Sequence, residues 1–381
     1  MKKRLLAVLL AAWSGAVCAE VVVGVSVSST GSGSSLGTHI ANVIPLLPKT
    51  VAGEPVRYVM LDDGSDPTVG ARNARKLITE EKVDVIIGSS TVPVAIAQSN
   101  VANEVGIPII AICPIPLDPA KQSYSFAVPQ PIPLMLSALL KHMHAHGVKN
   151  LGYIGFSDSW GDMNYNHAKS GGEALGITIT TNERYARNDT TVNSQVLKVV
   201  SSKPDAIFVG ASGTPAALPQ VAARERGYRQ QIYHTHGVVN RDFTRIADKS
   251  AEGVIAPTGA VVVAEQLPDD HPLKATGMDF LKRYEGAYGA GSRNAFAAYA
   301  WDAGLIIQAA IPVALKTAKP GTPEFRKALR DAIESNKEVK GTHAVYSMTP
   351  EDHYGVDERA RVLVQVENGE WKILDENGGK Q

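Results

Sequence analysis

The chain has 381 residues, a formal net charge of +0 and 44% hydrophobic residues, enough apolar material for two domains with separate cores. The neutral charge balance argues against nucleic acid as a partner, because binding to phosphates needs a basic face. With only 2 cysteines, the chain also has no cysteine cluster that could bind a metal ion.

The amino-terminal residues have the layout of a secretory signal. Residues 2–4 are basic, residues 5–13 are apolar, and Val17-Cys18-Ala19 gives a small-x-small cleavage pattern. The apolar part is shorter than the roughly 20 residues that a membrane span needs. We therefore predict that residues 1–19 are a signal peptide and that the rest is a soluble exported protein. A lipid-bearing Cys18 is the alternative, which Val17 disfavours because lipoprotein signals usually carry a smaller residue there.

After residue 20, predicted strands and helices alternate along the first third of the chain. Apolar runs predict the strands VVVGVSVS, RYVMLDDG, DVIIGSS and PIIAIC. Between them lie a glycine–serine loop, TGSGSSLG, and the predicted helices THIANVIPLL, VGARNARKLITEE and VPVAIAQSNVANEVG. This alternation indicates a parallel sheet with helices on both faces and a ligand crevice beyond the carboxyl ends of its strands.

The same pattern begins again after SFAVPQPIPLM. The strands NLGYIGFSD, TITTNERYA, DAIFVGAS and QIYHTHGVV alternate with the helices LLKHMHAHG, GDMNYNHAKSGGEALG, TTVNSQVLKVVSSK and PAALPQVAARERGY. Long helical stretches follow at MDFLKRYEGAYG and NAFAAYAWDAGLIIQAAIPVALK, and ARVLVQVENGEWKIL predicts a hairpin around Asn368-Gly369. We expect an α/β fold of two lobes with several chain crossings, and no membrane-spanning segment after the signal.

One stretch, DVIIGSSTVPVAIA, combines a strand end with hydroxyl residues and a helix start. The apolar run stops at Gly88, then Ser89, Ser90 and Thr91 follow, and Pro93 opens the next predicted helix. Backbone N–H groups and the positive end of the helix would face an anion there. The same residues are also typical of a helix cap and turn that bind no ligand.

Several motifs for catalysis and for metal binding are absent from the sequence. There is no G-x-x-x-x-G-K-[ST] phosphate loop and no H-E-x-x-H, and GSGSSLG lacks the spacing of a dinucleotide loop. The pairs His234/His236 and His142/His146 would each share one face of an element, but neither has a third acidic or cysteine ligand at useful spacing. We therefore predict no enzymatic activity, no cofactor and no metal ion.

The whole arrangement resembles the type I periplasmic solute-binding proteins of ABC transporters, in the leucine/isoleucine/valine-binding family. The resemblance covers essentially the whole chain after the signal, and it is carried by TGSGSSLG, ARNARKLITEEKVDVIIG, GSSTVPVAIAQSNVANEVGIPIIAICP, FSDSWGD and GASGTPAALPQVAARERGY. It implies two doubly wound parallel-sheet lobes that are joined by a three-strand hinge and close on a ligand. The expected lobes are residues 20–128 with 259–345, and residues 129–258 with 346–381.

On this sequence, the resemblance implies a carboxylate site at residues 89–91 and an aromatic wall at Trp160. Where relatives that bind amino acids have an acidic residue to pair with the ligand ammonium, this chain has His236. Relatives often have a large aromatic ring at the position of Leu36, and a hydroxyl residue in the neighbourhood that Ile115 occupies here. The expected ligand-binding residues are Ser34, Ser35, Leu36, Ser89, Ser90, Thr91, Ala111, Ile112, Cys113, Trp160, Ser212 and His236.

These features together predict the periplasmic component of an ABC importer, a monomer that captures a small carboxylate and delivers it to a membrane permease. Losing the acidic partner would cost an ammonium ligand a charge-assisted bond of about 1.5–3 kcal/mol, so an organic or aromatic acid is favoured. An aliphatic amino acid, with its acidic partner supplied from elsewhere, is the alternative. The rivals from other classes are a sensor lobe, which would normally be tethered, and a secreted hydrolase, which would turn its ligand over.

Overall fold

Two large sheets with flanking helices, and a third sheet of two strands, form the part of the chain that the computed structural model describes, residues 20–374. The predicted signal peptide, its cleavage after Ala19 and the alternative at Cys18 lie outside these residues. The strands are β1 (Val21–Val27), β2 (Thr50–Val51), β3 (Glu54–Asp62), β4 (Val85–Gly88), β5 (Ile109–Ala111), β6 (Ser125–Ala127), β7 (Asn150–Phe156), β8 (Thr178–Tyr185), β9 (Ala206–Gly210), β10 (Gln231–His234), β11 (Ile255–Thr258), β12 (Val339–Lys340), β13 (Val345–Tyr346), β14 (Val362–Glu367) and β15 (Glu370–Ile373). The helices are α1 (Ser34–Val43), α2 (Pro67–Thr79), α3 (Val92–Glu104), α4 (Ile132–Ala145), α5 (Ser159–Glu173), α6 (Asn193–Ser201), α7 (Ala217–Glu225), α8 (Arg241–Ala247), α9 (Lys274–Tyr288), α10 (Ala295–Ala314) and α11 (Pro323–Ser335).

The two large sheets are both mainly parallel, as the alternating pattern predicts. The first has the strand order β2-β3-β1-β4-β5-β6, and only its β2–β3 pair is antiparallel. The second has the order β15-β14-β11-β10-β9-β7-β8, with the antiparallel pairs β11–β14 and β14–β15 at one edge. All seven residues of β1 are buried, because a central parallel strand is covered by helices on both faces.

Lobe 1 consists of the first sheet with α1–α3 and α9–α11, and lobe 2 of the second sheet with α4–α8. The chain crosses between them in three segments: residues 128–131 between β6 and α4, residues 259–273 between β11 and α9, and residues 347–361 between β13 and β14. After β11 the chain returns to lobe 1, and the long helix α10 belongs to this lobe because it packs against α1 and α11. Both sheets direct their carboxyl ends toward the cleft between the lobes.

The first helix begins earlier than the sequence predicts. The TGSGSSLG segment forms a short 3-10 turn, Gly31–Gly33, and α1 starts at Ser34 inside the predicted loop. Leu36 is 2% exposed, and Gly37 lies so close to β1 that a Cβ there would be 2.0 Å from the carbonyl oxygen of Ser28. Burial of Leu36 and this close approach hold the helix start against the strand, which glycine and serine content alone does not reveal.

The expectation that no segment after the signal is long and apolar enough to span a membrane is wrong for helix α10. By length and mean hydropathy it is the one described helix that qualifies, but 72% of its most apolar window is buried in the protein. Asn294 caps its first turn, and the completely buried Asp302 lies in its middle. Burial against other helices thus accounts for its composition, as in the core helix of a globular protein.

Several elements were not predicted, among them the helices α8 and α11 and the short strands β2, β6, β12 and β13. Helix α11 does carry a sequence signal, because Thr322 caps it, Pro323 follows, and Phe325, Leu329 and Ile333 face the core at helical spacing. The strands β2 and β6 have 2 and 3 residues, too short for a recognisable pattern of alternation.

Candidate ligand-binding site

A cavity lies in the cleft between the lobes, and its empty space, open solvent included, is about 340 Å³. Its walls come from loops and helix starts that follow β1, β4, β5, β6, β7, β8, β9 and β10, as expected for the crevice of parallel sheets, and from the first turns of α10. The lining residues are Leu36, Ser90, Thr91, Val92, Ile112, Cys113, Pro114, Pro129, Trp160, Arg187, Ser212, His236, Gly237, Phe296 and Tyr299.

The three hydroxyl residues after β4 have three different roles. Ser89 donates from Oγ to the buried Asp63 carboxylate at 2.6 Å, and the Ser90 Oγ accepts from the Ser28 backbone N–H at 3.0 Å. Thr91 occupies the N-cap position of α3, yet its hydroxyl makes no capping bond and has no partner among the described residues. Thr91 is therefore the hydroxyl of this group without a protein partner at the helix start, while the Ser90 hydroxyl accepts one bond and can still donate.

Arg187 supplies positive charge from lobe 2. Its side chain is 13% exposed and forms an ion pair with Asp158, Nε to Oδ2 at 2.5 Å. Its Nη1 donates to the Ser212 hydroxyl at 3.2 Å, and its guanidinium lies over the Phe156 ring, 4.2 Å from the centroid. These contacts fix the guanidinium at the cavity wall, where its remaining N–H groups can meet an anionic ligand.

Trp160 and His236 form an aromatic corner of the same wall. Asp158 caps α5 and thereby fixes the start of the helix that carries Trp160. The rings of Trp160 and His236 meet edge to face with centroids 5.4 Å apart, and the Trp160 Nε1–H has no acceptor within residues 20–374. Burial lowers the pKa of His236 to about 4, so this imidazole is neutral at physiological pH.

Two further rings come from α10 on the lobe 1 side. The Oδ1 of Asn294 accepts from the backbone N–H of Phe296 at 2.8 Å, which fixes the first turn of the helix and presents Phe296 and Tyr299 to the cavity. Cys113, after β5, adds a buried thiol whose pKa is raised by desolvation. This part of the wall is therefore apolar and suited to the body of a ligand.

The charge inventory of the cavity is simple. Of the described residues that line it, Arg187 alone is ionised at neutral pH, because His236 is neutral and no aspartate or glutamate lines the wall. A ligand ammonium would find no carboxylate partner at this wall, whereas an anion would find a guanidinium and an uncapped helix start.

The chain is similar to known proteins of one family. The model of the periplasmic binding protein family matches residues 20–370. The chain belongs to this family. No curated protein matches the chain significantly. An extracellular ligand-binding receptor from Rhodopseudomonas palustris HaA2 is 48% identical, covers 93% of this chain and 100% of its own, and superposes with a TM-score of 0.92.

Two more distant structures share the fold of this periplasmic binding protein. A leucine-binding protein from Thermotoga maritima is 22% identical over 93% of this chain and 98% of its own, with a TM-score of 0.77. A solute-binding protein of an ABC transporter from R. palustris, in complex with benzoate, is 20% identical over 93% of this chain and 95% of its own, with a TM-score of 0.76. The family and the two-lobe fold predicted from the sequence are confirmed.

The structure brings most of the residues predicted for this periplasmic binding protein to one cavity. Leu36, Ser90, Thr91, Ile112, Cys113, Trp160, Ser212 and His236 line it. Ser34, Ser35, Ser89 and Ala111 do not: the Ser89 hydroxyl is bonded to Asp63, and the Ser35 Oγ accepts from the Thr214 N–H across the cleft at 3.2 Å. Ala111 is the last residue of β5, one position before the cavity wall begins.

Sequence reasoning missed Arg187, Phe296 and Tyr299. Arg187 stands two residues after β8, so the rule that ligands bind beyond strand carboxyl ends was a usable signal. The aromatic pair carried no signal, because an apolar helix such as α10 is typical of a core.

The histidine pair at the end of β10, His234 and His236, also differs from the prediction. His234 ends β10, but His236 begins a 3-10 turn, so the two rings do not share a strand face. The Nε2 of His234 lies 3.0 Å from Gln220 Oε1 in the lobe 2 core. Across residues 20–374, no three His, Cys, Asp or Glu side chains are grouped so that they could bind a metal ion.

Proposed function

We propose that this protein is the substrate-binding component of an ABC importer and captures a small organic acid, with aromatic carboxylates favoured. The observation that carries the proposal is the charge of the cavity wall, where Arg187 has no acidic counterpart besides Asp158, its own ion-pair partner behind the wall. An anionic ligand is matched by this arrangement, and an ammonium group is not.

Both lobes contribute donors for such a ligand. Thr91 and the first turn of α3 offer a hydroxyl and the positive helix end from lobe 1, while Arg187 and the Trp160 Nε1–H offer donors from lobe 2. Trp160, Phe296 and Tyr299 supply aromatic surface for a ring between them. A ligand held from two sides favours closure of the lobes, and the closed protein would be delivered to a membrane permease.

The predicted lobe boundaries, at residues 128/129, 258/259 and 345/346, belong to this proposal, as do the monomeric state and export to the periplasm. The benzoate complex of the R. palustris transporter protein supports an aromatic acid. The leucine-binding protein of the same fold keeps an aliphatic amino acid as the second candidate.

Calorimetric titration of the mature protein with benzoate, other aromatic and aliphatic monocarboxylates, and leucine tests the ligand class. We expect an aromatic acid to bind more tightly than leucine. In Arg187→Met, binding of that acid should weaken by about 1.5–3 kcal/mol, the contribution of a hydrogen bond to a charged group.

Arg184→Met is the matched control. Arg184 lies in β8, three positions before Arg187, and is outside the cavity lining. Its guanidinium pairs with Asp162 and lies over the Tyr153 ring. The control variant should leave affinity unchanged. Tight binding of leucine with no binding of any organic acid would contradict the proposed ligand class. Chromatographic recovery of altered ligand would instead favour a hydrolase.

A further inference from the structure

The three chain crossings meet at one buried glutamine. Gln130 lies in the first crossing, and its Nε2 donates to the backbone oxygen of Ala360 in the third crossing at 2.6 Å. Its Oε1 accepts from the Tyr299 hydroxyl at 2.7 Å. Gln130 is completely buried, so both bonds lie out of reach of solvent, where an amide left without partners is costly. One planar amide thus joins two crossings to a ring of the cavity wall.

The second crossing passes the same point at Gly259. A Cβ on Gly259 would lie 2.7 Å from Gln130 Nε2 and 1.9 Å from His343 Nδ1. The backbone of Gly259, with φ of −73°, is open to any residue, so this glycine serves close approach rather than an unusual turn. Side chains from lobe 1 and backbone from each crossing are therefore packed around Gln130 without space for another carbon atom.

His343 completes the cluster from the other face of Tyr299. The two rings stack with centroids 3.9 Å apart, and the His343 Nε2–H donates to the Ala295 carbonyl at 2.9 Å. Burial lowers the pKa of His343 to about 3, so the stacked imidazole is neutral. Tyr299 is thereby held at three places: by Gln130 at its hydroxyl, by His343 at its face, and by α10 at its backbone.

We propose that Gln130 is a positioning residue that couples ligand contact at Tyr299 to closure of the lobes, an inference that rests on the proposed binding function. The two bonds of Gln130 tie the first crossing to the third crossing and to Tyr299 of lobe 1, so a movement of these segments relative to one another has to break or stretch at least one bond. The bonded arrangement therefore stabilises the closed state. A ligand that packs on Tyr299 stabilises the same arrangement, and the two effects reinforce each other.

The test compares Gln130→Leu with Gln220→Leu. Gln220 is an equally buried glutamine with two bonds, to the Ser250 carbonyl and to His234, but it lies within lobe 2. Stopped-flow mixing, followed by intrinsic tryptophan fluorescence to which Trp160 in the cavity wall contributes, gives association and dissociation rates for benzoate, or for leucine if wild type binds leucine more tightly.

In Gln130→Leu we expect dissociation to be roughly 3- to 10-fold faster with association unchanged, because the closed state alone is destabilised. Gln220→Leu should lower the melting temperature but leave both rates unchanged. Tyr299→Phe keeps the ring and removes its hydroxyl, so it should reproduce part of the effect. The double variant with Gln130→Leu should then fall short of the product of the two single effects.

Unchanged dissociation in a folded Gln130→Leu protein would overturn the inference and leave the proposed function intact. If that variant does not fold, Gln130→Glu decides, since it keeps an acceptor for Tyr299 and loses the donor to Ala360. Faster dissociation in that variant supports the coupling, and wild-type rates overturn it. A wild-type protein that binds neither benzoate nor leucine nor any other carboxylate overturns the proposed function and this inference together.

Discussion

His236 stands in the cavity wall where binding of an ammonium group would call for a carboxylate. Its ring is neutral and packs edge to face on Trp160. A neutral imidazole can donate to or accept from a ligand, but it cannot neutralise a ligand cation. Under the proposed function, this single residue accounts for much of the preference for acids over amino acids.

We predict that His236→Asp exchanges this preference. A buried carboxylate should weaken binding of an organic acid and strengthen binding of leucine, whose ammonium gains a charge-assisted bond of about 1.5–3 kcal/mol. His236→Asn, which is similar in size to aspartate but uncharged, is the control. Calorimetric titration of both variants with benzoate and leucine gives the comparison; equal changes in Asp and Asn variants would mean that charge is not the cause.

Buried neutral histidines also predict how stability depends on pH. Burial and the nearby Arg224 lower the pKa of His234 to about 3, while an imidazole in the unfolded chain titrates near 6.5. As pH falls below about 6.5, His234 binds a proton in the unfolded chain but stays neutral in the folded protein. The stabilisation is therefore full above this pH and is lost as pH falls toward 3.

His234→Phe should flatten this dependence. We expect the slope of unfolding free energy against pH, measured by urea denaturation between pH 6.5 and 4, to fall by up to about 1.4 kcal/mol per pH unit relative to wild type. His167→Phe, which replaces a partly buried histidine on α5, should reduce the slope less. Parallel wild-type and His234→Phe curves would contradict the assignment.

At the scale of elements, the carboxyl-terminal hairpin shows a local sequence signal that the structure confirms. Asn368 and Gly369 connect β14 to β15 with φ of 54° and 77°, the paired positive values of a type I′ turn. The hairpin forms the edge of the lobe 2 sheet beyond β11, so the turn that joins its strands helps to form this edge.

Gly369→Ala should therefore destabilise the protein by roughly 1–2 kcal/mol, because a side chain disfavours the left-handed region. The matched change Gly286→Ala, in the exposed interior of α9, should instead stabilise it by up to about 1 kcal/mol, since a Cβ there meets no atom within 4 Å. Urea unfolding of the two variants measures both effects. A loss of stability from both changes would show that backbone conformation does not decide the outcome.

At the scale of the whole molecule, the lobes touch across the cleft as well as through the crossings. The Thr214 N–H donates to Ser35 Oγ at 3.2 Å, and His39 Nε2 lies 3.2 Å from Asp242 Oδ2, with Tyr284 beside the other ring nitrogen. These polar contacts lie at the rim, so water can replace them when the cleft opens. They are suited to a reversible closure rather than to a permanent interface.

We predict that ligand binding makes the protein more compact. Small-angle scattering should give a smaller radius of gyration with saturating benzoate than without it, because a ligand held by both lobes stabilises the closed state. His39→Ala removes a rim contact, and its free form should be at least as expanded as free wild type. A free wild-type protein whose scattering already matches the closed structure, and does not change with ligand, would contradict a hinge that responds to the ligand.

The sequence by itself determined the alternating strands and helices, the family and the start of α3, because these depend on local periodicity and on segments that are adjacent in the chain. Eight of the twelve ligand-binding residues that the family resemblance implies line one cavity, at the edge where the carboxyl ends of parallel strands meet. The sequence also identified the turn at Asn368-Gly369, which two residues specify.

Only the tertiary structure decided which hydroxyl groups after β4 have protein partners and which side chain joins the chain crossings. Ser89 is occupied by Asp63, 26 positions away, and Gln130 is joined to Ala360 across 230 positions. Arg187 becomes part of the wall only because Asp158 and Ser212 hold it there. Such pairings depend on how distant segments pack, and no local pattern records them, because hydrogen-bond partners are chosen by proximity in space.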